Sequence, residues 1–273
     1  NGSLGAAGVI TTGGGNGNVT TLTVASTAGL KAGMYVNGNG VSYGRYITAV
    51  GTNSVTLNAA NSVPSGTRLQ FGGLNVSNGG IFAADPGGLT ITQPIYVNSN
   101  ANIVFAGSYN INIDGPFALA AGNSDITISN SIEGSGVLTF NTDFTNLKLH
   151  SRTFNIRGFG DTVWNGDIQD SSAGGITTSL NIAIDNDAFF EMAGGTPNSY
   201  TGSTTLTNGI LKLSKAGALG TGAFNFNGGF LTSNTGSGVV ISNTTTLGGS
   251  PVQLIGTESI EFSGTFTGNG PRR

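Results

Sequence analysis

The chain reads as an all-β protein, a right-handed parallel β-helix (β-solenoid) with a small N-terminal β-module, on three observations. Apolar and polar residues alternate with a period of two over nearly the whole length, and helical periodicity is nowhere sustained. Asn, Gly, Asp and Ser separate successive apolar pairs at intervals of about eight to twelve residues, which suits short strands joined by turns. Related strings return: ISNSIEGSGVLTF from Ile128, VWNGDIQDSSAGG from Val163 and IEFSGTFTGNG from Ile260. Alternation and spacing fit a sandwich as well as a solenoid. Recurrence selects the solenoid, because stacked coils repeat their geometry and a sandwich need not.

Taken in order, residues 1–17 are dominated by glycine and predict a linker or an edge segment docking on a neighbour, with little order of their own. Residues 18–73 form a small β-module, with alternating strands at Leu22/Val24, Val55/Leu57 and Leu69/Phe71 between Gly, Asn and Pro turns. Residues 74–273 are the solenoid. Its alternating pairs run Leu89/Ile91, Ile95/Val97, Ile103/Phe105, Ile111/Ile113, Ile126/Ile128, Leu138/Phe140 and Leu147/Leu149. In such a coil alternate side chains fill the tube, and each inward Ile, Leu, Val or Phe contributes about 1.5–3 kcal/mol when fully buried. One coil cannot offset its ordering cost, so single repeats do not fold and stacked ones do.

Composition narrows the function. Glycine takes 47 of 273 positions without a three-residue period, which excludes collagen, and 15 Phe with many branched residues argue against disorder. Only 8% of residues are charged, against about 25% in ordinary soluble domains, so solubility rests on Asn, Ser, Thr and exposed backbone. The net charge of −3 and the lack of a basic run give no footprint for nucleic acid. Charge is unevenly placed: residues 1–84 hold no Asp or Glu, and the acids begin at Asp85. The absence of cysteine removes disulfides, thiol catalysis and Cys-type metal sites. No apolar run approaches the ~20 residues of a membrane-spanning helix, so no membrane span is expected in this chain.

Two resemblances follow from particular motifs. The stretch Gly33-Met34-Tyr35-Val36-Asn37-Gly38-Asn39-Gly40 resembles a short β-module of bacterial surface proteins and phage fibres. Ser199 to Gly229, SYTGSTTLTNGILKLSKAGALGTGAFNFNGG, resembles the autotransporter-associated β-strand repeat, with Tyr-Thr-Gly-x-Thr-Thr, a Gly-x-Leu-x-Leu strand and then Ala-Leu-Gly. Trp164, Gly166, Ile168 and Gly174 match the strand that precedes this repeat in the family. The resemblance spans residues 125–270 or so and implies an exported bacterial surface passenger with a parallel β-helix fold and no catalytic residue. Two departures stand out. Residues 176–199 lack the family's Lys-x-Gly-x-Gly, which predicts an irregular coil there, and the pattern stops at Gly270 with no membrane barrel after it, as in a segment of something longer or a processed form.

Chemistry-bearing residues are few. Lys148, His150 and Arg152 fall on one face of LKLHSRTFNIR, opposite Leu147 and Leu149; with Arg157 they form either an anionic-glycan patch or the solvated face of one coil. Because Phe154 and Ile156 then turn inward, a bend is expected between Arg152 and Phe154. Asp185, Asp187 and Glu191 are weak calcium candidates, with turn chemistry the simpler reading. An enzyme acting on polysaccharide needs paired carboxylates, for which Asp161, Asp167 and Asp170 are the best choices. Neither a catalytic group nor a cofactor is assigned.

The expected function is therefore non-enzymatic: an exported structural segment of the extracellular space or bacterial cell surface, an adhesin-like passenger or a filament subunit. Its expected partners are copies of itself joined end to end through open strand edges, with glycan or host-surface ligands as further candidates. The alternative is a glycan-binding phage or surface fibre, with polysaccharide cleavage as its extreme form and Trp164, Tyr43 and Tyr46 as its aromatics.

Overall fold

The computed structural model describes residues 9–15, 17–42, 45–76, 78–98, 101–121, 124–146, 150–171 and 175–268. Among the described residues every regular element is a strand, and the strands divide into an antiparallel module and a parallel solenoid.

The module is a six-stranded sheet built from Val9–Gly14, Val19–Val24, Val36–Asn37, Ile47–Gly51, Ser54–Asn61 and Thr67–Phe71. Its pairings are all antiparallel, and its core holds Leu22, Val36, Ile47, Val55, Leu57, Leu69 and Phe71. Here the structure corrects the expected boundary. Val9–Gly14, read from sequence as part of a linker or edge segment, lies in the interior of the sheet, between Thr67–Phe71 and Val19–Val24. Its glycines serve close approach rather than flexibility. A Cβ on Gly13 would stand 2.5 Å from the carbonyl oxygen of Thr23, and one on Gly14 would stand 2.4 Å from that of Pro64.

The solenoid begins at Leu74 as coils of three strands. The first coil is Leu74–Val76, Gly79–Ala83 and Leu89–Ile91; the second is Ile95–Asn98, Asn102–Gly107 and Ile111–Ile113. The third is Phe117–Ala121, Ile126–Ile132 and Val137–Phe140, and the fourth is Phe144–Asn146, Arg152–Gly158 and Asp161–Trp164. Beyond Trp164 the first side is reduced to a bridge from Phe144 to Ile168. The other two sides continue as Thr178–Ile184 with Phe189–Met192, Thr204–Asn208 with Ile210–Leu213, Phe224–Phe226 with Gly229–Ser233, and Thr245–Leu247 with Val252–Leu254. Phe266–Gly268 follows them, and Val239–Ile241 pairs with Ile260–Phe262. Stacking yields a flank sheet of four strands, a first long sheet of nine and a second long sheet of eight, all parallel.

Alternation in the sequence becomes alternation in space. Ile126, Ile128, Asn130 and Ile132 point inward from one strand, and Leu180, Ile182 and Ile184 from another. At the third and fourth coils the tube is filled by aromatic rings. Phe140 stacks on Trp164 at 4.1 Å and Phe144 on Phe154 at 4.9 Å, while Phe117 meets Phe140 and Trp164 edge-on. The strings read as repeats do not occupy equivalent sides: the one from Ile128 crosses from the first long sheet to the second, and the one from Ile260 starts on a different side. The spatial repeat is FNTDF over WNGDI, with Phe140 on Trp164, Asn141 under Asn165, Asp143 under Asp167 and Phe144 under Ile168.

Tyr96 and Ala118 face outward from the flank sheet yet are fully buried, as a small cluster separate from the tube. Gly73 stands against the Tyr96 ring and Arg68 lies within electrostatic reach of it, so the module covers this flank. Burial raises the Tyr96 hydroxyl above its ordinary pKa, and Arg68 partly offsets the effect.

Candidate functional site

A solenoid corner interrupts the strand ladder and leaves backbone N–H groups that need acceptors. In this chain backbone carbonyls of the neighbouring coil take many of them, such as Asn141 to Ile113 and Asn165 to Phe140, and side-chain oxygens of that coil take others. The Asp143 carboxylate accepts from the Asp167 N–H at 2.8 Å, and the Asp161 carboxylate accepts from the Phe189 N–H at 3.0 Å. Asp167 accepts from both the N–H and the hydroxyl of Ser199, at 2.8 and 2.9 Å. Asp170 accepts from the N–H of Thr178 at 2.6 Å and from the N–H and hydroxyl of Thr201 at 3.0 and 2.6 Å. The acids weighed for polysaccharide cleavage are thus braces between coils, each engaged by backbone one turn away. Asparagines do the same work: Asn110 caps Val137, and Asn198 caps Ile168 while donating to the Ala218 carbonyl.

Lys215, one of the few buried cations, belongs to this bracing. Its ammonium donates to the Gly166 carbonyl at 2.9 Å, and desolvation lowers its pKa to about 8 against the attraction of Asp167 and Asp143. Glu258 binds the Ser233 hydroxyl and the N–H groups of Thr235 and Gly236, and these bonds, Ser233 first, lower its pKa to about 2. Sequence reading passed over both, and also over Asn130. That side chain fills an inward position, donating to the Asp161 carbonyl and the Thr162 hydroxyl and accepting from the Ile132 N–H. The signal was present as a polar residue on the inward face of Ile126–Ile132.

The basic patch is not assembled as expected. Arg152 is 5% exposed and lies on the inward face with Phe154 and Ile156, so alternation runs unbroken from Arg152 and no bend separates it from Phe154. Its inward neighbour one coil on is Thr178, which makes this corner of the tube polar, and desolvation lowers the Arg152 pKa against the pull of Asp125. Arg157 is half-buried, its guanidinium within reach of Asn155 and the Ile156 carbonyl. His150 is exposed, and Lys148 lies outside the described residues.

The calcium candidates are likewise separated by role. Asp185 and Asp187 sit exposed in a corner loop, while Glu191 lies on the outer face of the second long sheet, 3.6 Å from Lys212 and 2.5 Å from the Ser214 hydroxyl. Among the described residues no group of three or more His, Asp or Glu is placed to hold a metal ion. Of the aromatics, Trp164 is buried, Tyr43 lies outside the described residues, and Tyr46 is exposed beside Tyr35 in an edge-on pair at 6.3 Å.

Residues of the repeat motif prove to be packing devices. Tyr200 is fully buried with its hydroxyl bonded to Thr204 at 2.5 Å; Ile168, Ala218 and Leu219 close the side of the tube that carries no long strand. The coil expected to be irregular, 176–199, keeps register with the coil before it and shifts against the one after, between Ile182 and Ala183.

Among the described residues, Gly79–Ala83 and Leu89–Ile91 terminate the long sheets at one end, Phe266–Gly268 and Val252–Leu254 at the other. Phe82 is 68% exposed at the first coil, and Leu254 and Phe266 are exposed at the last. Comparison of the chain with family models, curated proteins and solved structures returns no match.

Proposed function

We propose that this chain is a non-enzymatic structural protein, an exported segment of the bacterial surface or of an extracellular fibre, as its autotransporter-like motifs suggest. The observation that carries this reading is that the acids suited to catalysis are engaged as coil braces. The low share of charged residues accords with an extracellular or cell-surface location.

The partners of this reading are copies of the same chain. All strands of the solenoid are parallel, so the edge at one end presents the polarity that the edge at the other end requires, and apolar Phe82, Leu254 and Phe266 lie at those ends. Such head-to-tail contact does not close on itself and gives a filament. Negative-stain microscopy and light scattering over a concentration series test it. Rods one solenoid wide are expected, shortened to monomers by Phe266→Lys with Leu254→Lys. A chain that stays monomeric at millimolar concentration overturns the filament reading. Polysaccharide cleavage abolished by Asp161→Asn or Asp167→Asn overturns the non-enzymatic one.

A further inference from the structure

We infer that a groove on the corner between the two long sheets is a binding site for a neutral oligosaccharide. The groove arises from corner length. Four residues, 185–188, join Ile184 to Phe189, and four, 248–251, join Leu247 to Val252. Between them Gly209 alone joins Asn208 to Ile210, at a φ of +86°, and only Asn227 and Gly228 join Phe226 to Gly229. Two tight corners lie between two wide ones, leaving a hollow of about 530 Å³ that crosses several coils. That is the size of a ligand site, roughly 300–1,000 Å³.

A second feature points the same way. The register shift after Ile182 leaves Thr207 as an extra residue opposite no partner, so Thr207 and Asn208 both turn to the outside, into the hollow. A bulge of this kind re-aims side chains and is common beside binding sites. Asp187, Ser250 and Gln253 add donors and acceptors from the wide corners and the last coil, and half-buried Phe230 supplies an apolar wall.

The lining decides the ligand class. It holds hydroxyls, amides and one carboxylate but no Lys, Arg or His, which disfavours an anionic ligand. Thr204–Asn208, Ile210–Leu213, Phe224–Phe226 and Gly229–Ser233 along its floor are paired on both sides, so an extended peptide finds a free ladder only at Val252–Leu254, at one end of the groove. A neutral sugar chain offers what remains: a rim of hydroxyls for the amides and a C–H face for Phe230. Because the groove runs across coils, it suits several linked rings rather than one.

The test is calorimetry and saturation-transfer NMR with neutral hexasaccharides of cellulose, chitin, xylan and amylose, beside sulfated and sialylated oligosaccharides and unstructured peptides. At least one neutral hexasaccharide is expected to bind. Thr207→Trp, which fills the groove from an exposed position, and Asp187→Ala, in an exposed loop, should each weaken binding about tenfold or more, the scale of one lost charge-assisted contact. His150→Ala and Arg157→Ala should leave it unchanged. Circular dichroism of each variant verifies its fold. Failure of every neutral hexasaccharide, survival of binding in Thr207→Trp, or binding of only acidic sugars or peptides overturns the site. Rod formation is scored separately and stands or falls without it, so failure here is distinct from failure of the structural reading.

Discussion

The N-terminal module and the solenoid are both all-β, yet they settle their backbone polar groups in different ways. In the module, antiparallel strands pair with one another, and the side chains that accept loop N–H groups are neutral: Thr11 for Ser26, Asn61 for Ser42 and Asn58 for Tyr46. In the solenoid the chain leaves its sheets at corners, where backbone carbonyls of a neighbouring coil accept many of the released N–H groups and Asp, Asn and Glu side chains accept others. The difference coincides with the charge asymmetry: residues 1–84 carry no acid, and acids that brace coils, such as Asp143, Asp161, Asp167, Asp170 and Glu258, lie in the solenoid.

The comparison breaks most readily at the aromatic filling of the tube. Phe154→Ala removes a ring stacked on Phe144 and touching Trp164, and should cost about 3–5 kcal/mol. Trp164 is the single tryptophan, so its fluorescence in a urea series reports the solenoid alone, while circular dichroism should show the module's transition unmoved. If both regions lose stability together, they fold as one unit and the contrast fails.

Removing a brace should cost less. Asp170→Ala strands the N–H groups of Thr178 and Thr201 and is expected to destabilise the solenoid by about 1–3 kcal/mol. The module's nearest counterpart is Asn61, whose amide accepts from the Ser42 N–H and donates to the Ala59 carbonyl. Asn61→Ala should act on the module's transition and leave Trp164 fluorescence unchanged.

Acid sharpens the same contrast. The Glu258 pKa is depressed to about 2 from 4.5, so its contribution is fully present above about 4.5 and is lost as pH falls towards 2. Denaturant midpoints across that window should fall for the solenoid and stay level for the acid-free module; Glu258→Gln should flatten the solenoid's slope.

The alkaline side has the smallest expected effect. Lys215 binds its proton less well folded than unfolded, so stability should rise as pH goes from about 8 to about 10.5. Burial pushes the hydroxyls of Tyr96 and Tyr200 up, so above about 10 the unfolded chain ionises first and stability should fall. A midpoint that peaks near pH 10 in the parent and loses its rise in Lys215→Met fits this account; a flat profile in both refutes it.

Much of the fold was legible because the strand period is two and apolar residues keep it. Ile126/Ile128 and Leu138/Phe140 are inward in the structure as in the pattern. Arg152 was misplaced for the same reason: alternation shows which residues share a face, and a charged residue was assumed to mark the outside. The glycines of Val9–Gly14 misled because composition cannot tell glycine used for flexibility from glycine used for contact.

Local period and composition were enough to read the alternating strands and the change of character near Asp85 from the sequence, and recurrence along the chain, not local period, selected the solenoid over a sandwich. Tertiary structure alone decided which coil faces which acid, where the bulge at Thr207 falls and which corners are wide. Those depend on partners some twenty or thirty residues away, because coil length, not local propensity, sets what stacks on what.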